Sequence, residues 1–173
     1  RVRVSYKTVS RFQGTLLEGF AGPQVLAEAA AQAMNKLDYT AQHMGMRIES
    51  MQPGCCVFSM RVQGWMINGH GICHGGLIFT LADTAFAYAC NSHNQRAVAQ
   101  HCTITFLAPG KAEETLTATA TETVSSGRSG IYDIEVQNEH GTPLAHFRGN
   151  SRTIAGTILE EPSSPDPSKG DLP

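Results

Sequence analysis

Hydrophobic and polar positions divide the chain around its middle. Residues 77–90 (LIFTLADTAFAYAC) are apolar nearly all round and contain neither Pro nor Gly. They predict a helix buried on most sides, not a surface helix with a single apolar stripe. Residues 68–76 (NGHGICHGG) are polar and glycine-rich and predict a loop that delivers the chain to the helix start. Upstream, residues 24–37 have helical period, with Val25, Leu26, Ala29, Ala33 and Leu37 largely on one face and Pro23 as an opening residue. Asp38 is placed to cap a further short turn reaching His43. Strands are expected at 44–50 and, after Pro53-Gly54, at 55–62, where Cys56, Phe58, Met60 and Val62 alternate with Val57, Ser59 and Arg61. Four more are expected at 96–107, 114–124, 129–138 and 144–154. Pro109-Gly110, Ser125-Ser126-Gly127 and Gly141-Thr142 divide them.

Successive strands joined by short turns imply an antiparallel sheet, and an all-round apolar helix beside such a sheet has to be wrapped by it. The expected architecture is therefore an α+β domain over 23–156, its sheet curled round one central helix. Residues 1–22 alternate only weakly and are interrupted by Gly14, Gly19 and Gly22. A strand, an ordered arm and a tag remnant all fit them. Residues 157–173 shift to Pro, Ser and charge with little to bury, and a disordered tail is expected.

Composition narrows the function classes. A net charge of −2 advertises neither nucleic acid nor an anionic membrane as a partner. No apolar run reaches the ~18–20 residues of a membrane span. The odd number of cysteines, 5, makes no secreted disulfide framework, and the opening residues lack a secretion pattern. A reducing compartment, the cytoplasm, is expected.

The chemistry concentrates on the central helix. Thr80, Asp83, Thr84 and Ala87 are spaced i, i+3, i+4, i+7 and are expected to share a face. A carboxylate on a buried helix is costly without a partner or a task, so Asp83 reads either as a hydrogen-bonded structural group or as a catalytic acid tuned by burial. Gly75 and Gly76 put no side chain in the way of a carbonyl group approaching the helix N-terminus, where unpaired N–H groups and the positive dipole end lie. A zinc site from His70, Cys73, His74, Cys90 and His93 is disfavoured, because the intervening helix holds the two groups ~20 Å or more apart. No metal and no cofactor are expected.

The pattern NGHxxCHGG followed by LADTAFAYACN, with FLxPG at 106–110 and SGxYDIEV at 129–136, resembles the hot-dog-fold acyl-CoA thioesterases. Within them it is most similar to the branch associated with phenylacetic acid degradation. The resemblance covers roughly residues 24–156. It implies an acyl-CoA thioesterase whose Gly75 N–H polarises the thioester carbonyl and whose Asp83 acts as general base or nucleophile. It further implies that Asn68 and His74 shape the site, and that the acyl group is aromatic or hydroxyaromatic. His74 either lies near the acyl sulfur or holds the loop. Phe79, Phe86 and Tyr88 are candidates for the acyl site, and Gly76 and Thr84 are expected among the substrate-binding residues. Among Lys111, Arg128, Arg148 and Arg152, Arg128 in its Ser/Gly turn best suits the CoA phosphates. A non-catalytic acyl-CoA or acyl-carrier-protein binding module and a hot-dog dehydratase are the alternatives.

Geometry adds the oligomer. Gly75 and Asp83 are eight residues apart, ~12 Å along a helix, too far for one helix to present both to one carbonyl. A homodimer with sites shared between chains is expected, in keeping with the dimers and dimers of dimers that the resemblance implies.

Overall fold

The structure, a computed structural model, describes residues 22–159. The proposed arm and most of the proposed tail lie outside the described residues. The elements run α1 (Pro23–Asn35), α2 (Tyr39–His43), β1 (Arg47–Gln52), β2 (Cys55–Arg61), a 3₁₀ turn (Gly64–Met66), α3 (Gly75–Asn91), β3 (Gln95–Phe106), β4 (Thr115–Ser126), β5 (Ser129–Asn138) and β6 (Pro143–Thr157). The strands form one six-stranded sheet in the order β1-β2-β4-β5-β6-β3. Every neighbouring pair is antiparallel.

The central helix α3 packs on β2, β3, β4, β5 and β6, so the sheet curls round it as its composition requires. The strands present their alternating apolar sets to it: Cys56, Phe58 and Met60 from β2, Leu116, Ala118 and Ala120 from β4, and Tyr132, Ile134 and Val136 from β5 are all buried. At Gly149 of β6 the helix leaves no room for a side chain, because a Cβ there would lie 2.8 Å from the ring of Phe86. Phe86 in turn meets Tyr132 edge-on at 5.4 Å between ring centres.

Three expectations shift. The buried face of α1 is Leu26, Ala27, Ala30 and Ala31, while Val25 is 43% and Leu37 72% exposed. Small alanines allow close approach to β1 and α3, and contact, not hydropathy, picks the face. The first strand starts at Arg47 because Gly45 takes a left-handed φ of +67° after α2, the usual way to end a helix. At the other end β6 runs to Thr157. Beyond it the Leu159 N–H donates to Asn94 Oδ1 at 2.8 Å, so the chain stays tied to the fold past the expected boundary at Gly156.

The expected consequence for the core is specific. Gly149→Ala should cost roughly 1–3 kcal/mol through overpacking against Phe86. A lowered thermal midpoint by circular dichroism, recovered in part by Phe86→Leu in the same chain, is the check.

Candidate active site

The loop before α3 is folded on one side chain. Asn68 Oδ1 accepts the N–H groups of His70 (2.9 Å) and Ile72 (3.4 Å). Its backbone N–H donates to the Ile72 carbonyl at 2.9 Å, and its carbonyl accepts from Gly71, also at 2.9 Å. Two further bonds pin the loop to the body: Cys73 N–H to the Gly110 carbonyl (2.8 Å) and His74 N–H to the Met66 carbonyl (2.9 Å). Gly110 lies so close that a Cβ there would stand 3.3 Å from Cys73 Cβ, which links the FLxPG turn to this loop. Cys73 is buried, and burial pushes its thiol pKa up.

His74 then starts the helix. Its Nδ1 accepts the Gly76 N–H at 2.9 Å, and its carbonyl accepts from Leu77 (2.9 Å) and Ile78 (3.3 Å). An accepting Nδ1 places the proton of neutral His74 on Nε2. The Gly75 N–H is left with no acceptor among the described residues. This orphan donor lies at the positive end of α3, where it can receive a developing oxyanion. The Phe106 ring covers Gly75, and a Cβ on that residue would meet Phe106 Cζ at 3.0 Å.

Along α3, Gly76, Thr80, Asp83 and Ala87 line the outer side of the helix and are not fully buried. Thr80 Oγ1 donates back to the Gly76 carbonyl at 2.8 Å. Thr84, expected on this side, is 9% exposed and turns inward, since one residue rotates a helix by ~100°. Asp83 is half-buried. Desolvation holds its carboxyl above the ordinary aspartate pKa, and a hydrogen bond from Cys102 Sγ to Oδ1 (3.9 Å) opposes that rise. Burial raises the two thiols nearby as well, Cys102 to about 11 and Cys90 to about 12.

A cavity of about 340 Å³ opens beside Asp83. Met34, Phe86, Ala87, Ala97, Val98 and Ile154 give it an apolar wall, and Arg96 lies on its lining. Arg96 also lines an adjoining cavity of about 490 Å³ next to Leu37 and Asp38. Gly75 borders neither cavity.

The structure thus assembles Asn68, His74, Gly75 and Gly76 at one end of α3 and puts Asp83 beside the cavity. Phe86 is 1% exposed, a core residue with an edge on the cavity. Phe79 and Tyr88 belong to the core: Phe79 packs on Phe147, and Tyr88 meets Phe58 edge-on and donates to Asp38 at 3.4 Å. Arg128 sits apart at the β4–β5 turn with both Nε (3.1 Å) and Nη2 (2.9 Å) on the Thr153 carbonyl. Arg148 forks onto Asp133. Arg96, missed in the sequence, had one available signal, a lone cation directly after the central helix. Helix α3 separates the histidine–cysteine pairs, and His93 faces Glu122 at 3.4 Å.

Residues 70–145 match the family model of the thioesterase superfamily. The chain is 51% identical over 131 residues to the acyl-coenzyme A thioesterase PaaI of Escherichia coli K12, covering 76% of this chain and 94% of that one. The solved structure of E. coli PaaI, from the phenylacetic acid degradation operon, superposes with a TM-score of 0.78 at 48% identity, over 79% of this chain and 99% of that one. A mutant of the phenylacetic acid degradation protein PaaI of Thermus thermophilus superposes at 0.65 with 32% identity, over 68% and 100%. A curled antiparallel sheet around a buried helix is the form that matches them, and the chain belongs to the thioesterase superfamily as a hot-dog-fold thioester hydrolase.

Proposed function

We propose that this chain hydrolyses acyl-CoA thioesters to the free acid and CoA, with Gly75 and Asp83 as the reacting pair. The observation that carries the proposal is the unclaimed Gly75 N–H at the start of a helix whose next three amides all have acceptors. In this reading the thioester oxygen accepts that N–H and the carbonyl carbon becomes electrophilic. Asp83 then either takes a proton from water as the water attacks, or attacks itself to give an anhydride that water opens. The tetrahedral oxyanion collapses with loss of the CoA thiolate. Asn68 and His74 hold the loop that presents the amide.

The acyl group is proposed to be aromatic, of phenylacetyl or hydroxyphenylacetyl type. Support comes from the similarity to PaaI proteins and from an apolar cavity of about 340 Å³ beside Asp83. A pure binding module has no use for a desolvated carboxylate there. A dehydratase needs a histidine free to take a proton, whereas His74 Nδ1 already accepts the Gly76 amide. The free state of all five cysteines suits a cytoplasmic setting. Among the described residues no helix is long and apolar enough to cross a membrane.

Sites shared between two copies complete the reading. One helix cannot bring Gly75 and Asp83 to one carbonyl across ~12 Å of rise. Strand β3 forms a free sheet edge 12 residues long, with Val98 and Phe106 about half exposed. Such an edge is normally paired or blocked. Pairing β3 with its copy across a two-fold axis would bring the outer stripe of α3 against its counterpart, and further pairing into a dimer of dimers is compatible with that arrangement.

Three sets of outcomes are expected, the first of them kinetic. Phenylacetyl-type CoA esters should release free thiol in a colorimetric assay across an acyl-CoA panel. Asp83→Asn should lose at least about a hundredfold in kcat with KM little changed; a loss under tenfold would make Asp83 structural. The second outcome is thermal. Because the folded pKa of Asp83 is raised, folding favours its protonated form, and its contribution to stability is lost as pH rises through that value. Asp83→Asn should therefore melt a few degrees higher than the parent at pH 7 and show no such gain near pH 3, by scanning calorimetry. The third outcome tests sharing. Asp83→Asn and Gly75→Pro, each inactive alone and folded by circular dichroism, should regain activity when unfolded and refolded together. Mixed dimers that form yet stay inactive would contradict shared sites.

A further inference from the structure

Strand β3 touches both ends of the reacting stretch of α3. Phe106 rests its ring on Gly75, and Cys102 places its thiol on Asp83. The spacings match: four strand residues at ~3.3 Å span ~13 Å, and eight helix residues at 1.5 Å span ~12 Å. Cys102 and Phe106 are an even number apart, and the register with β6 runs without a break from His101 to Phe106, so both face the helix. Of the groups around Asp83, Cys90 comes from its own helix, Cys102 from β3 and Arg96 from the cavity lining. Among the described residues, Cys102 alone gives the carboxylate a hydrogen bond.

We propose that Cys102 is a positioning residue of the hydrolysis: its S–H engages Oδ1 of Asp83 and leaves Oδ2 directed to the reacting water or carbonyl. The inference rests on Asp83 being the reacting carboxylate. A thiol is a weak donor, so it orients the carboxylate while taking little of its basicity. A strong donor such as an arginine in the same place would hold the oxygen equally well and lower its proton affinity far more. The thiol also stays a donor throughout the working range. Burial and the neighbouring Asp83 charge push its own pKa to about 11, so no thiolate forms at neutral pH to repel the carboxylate.

The test compares Cys102→Ala and Cys102→Ser with the parent in kcat, KM and the pH profile of kcat/KM. Removing the donor destabilises the charged carboxylate, so Cys102→Ala should move the acid limb upward by about half a pH unit. Its kcat at pH 7 should fall about three- to tenfold, with KM within about twofold. Cys102→Ser, which restores a donor of similar size, should return kcat toward the parent and bring the acid limb to the parent position or below it. A Cys102→Ala enzyme with the parental kcat and acid limb would overturn the proposal. So would a Cys102→Ser enzyme as impaired as Cys102→Ala, because volume rather than the donor would then be responsible. Asp83→Asn, assayed alongside, keeps the two readings apart. Activity within tenfold of the parent in that variant overturns the role of Asp83 itself, whereas its inactivity with unaffected Cys102 variants overturns only the role of the thiol.

Discussion

A helix must find partners for its first amides, and the more deeply it is buried the fewer waters are on hand to serve. That constraint governs this structure. Helix α3 is pressed on five strands, and one residue, His74, satisfies three of its opening N–H groups through its imidazole and its carbonyl. The loop fold on Asn68 and the anchors at Met66 and Gly110 set His74 where it can do so. Glycine at 75 and 76 is a matter of space, since the Phe106 ring and the His74 imidazole already occupy the room a side chain would take. What remains is the Gly75 N–H, which has no acceptor among the described residues and lies at the positive end of the helix, the kind of donor that the proposed oxyanion needs.

Function is set against stability along the same surface. Asp83 is half-buried with a single weak donor, and β3 leaves a long edge open beside it. Neither feature favours an isolated protomer. Both lie toward the outer side of α3, which is where the proposed second copy would cover the edge.

Much of this was legible in the sequence for physical reasons. One-faced burial forces alternation, and β2 shows it in Cys56, Phe58, Met60 and Val62. A helix wrapped by a sheet must be apolar over most of its surface, and residues 77–90 are, with Thr80 and Asp83 on the side left open. The family likeness followed from the Gly-Gly pair and the aspartate eight residues on. The rest depends on contacts that no local pattern encodes. With five alanines in α1, hydropathy does not select the packed face. Arg128, in its Ser/Gly turn, places Nε and Nη2 on the Thr153 carbonyl, a contact 25 residues away in the chain. Asn94 holds Leu159 across 65 residues, which keeps the chain end on the fold past Gly156. Cys102 reads as one more buried thiol until the strand is laid beside α3.

The central claim is that one backbone N–H carries the oxyanion. The most direct measurement replaces the amide on the N-terminal side of residue 75 with an ester, by semisynthesis with glycolic acid in place of Gly75. This removes the N–H and keeps the shape of the turn. The account predicts a loss of about 10²–10³ in kcat for phenylacetyl-CoA with KM nearly unchanged, on a chain that still folds. An ester-bearing enzyme with the kcat of the parent would contradict it.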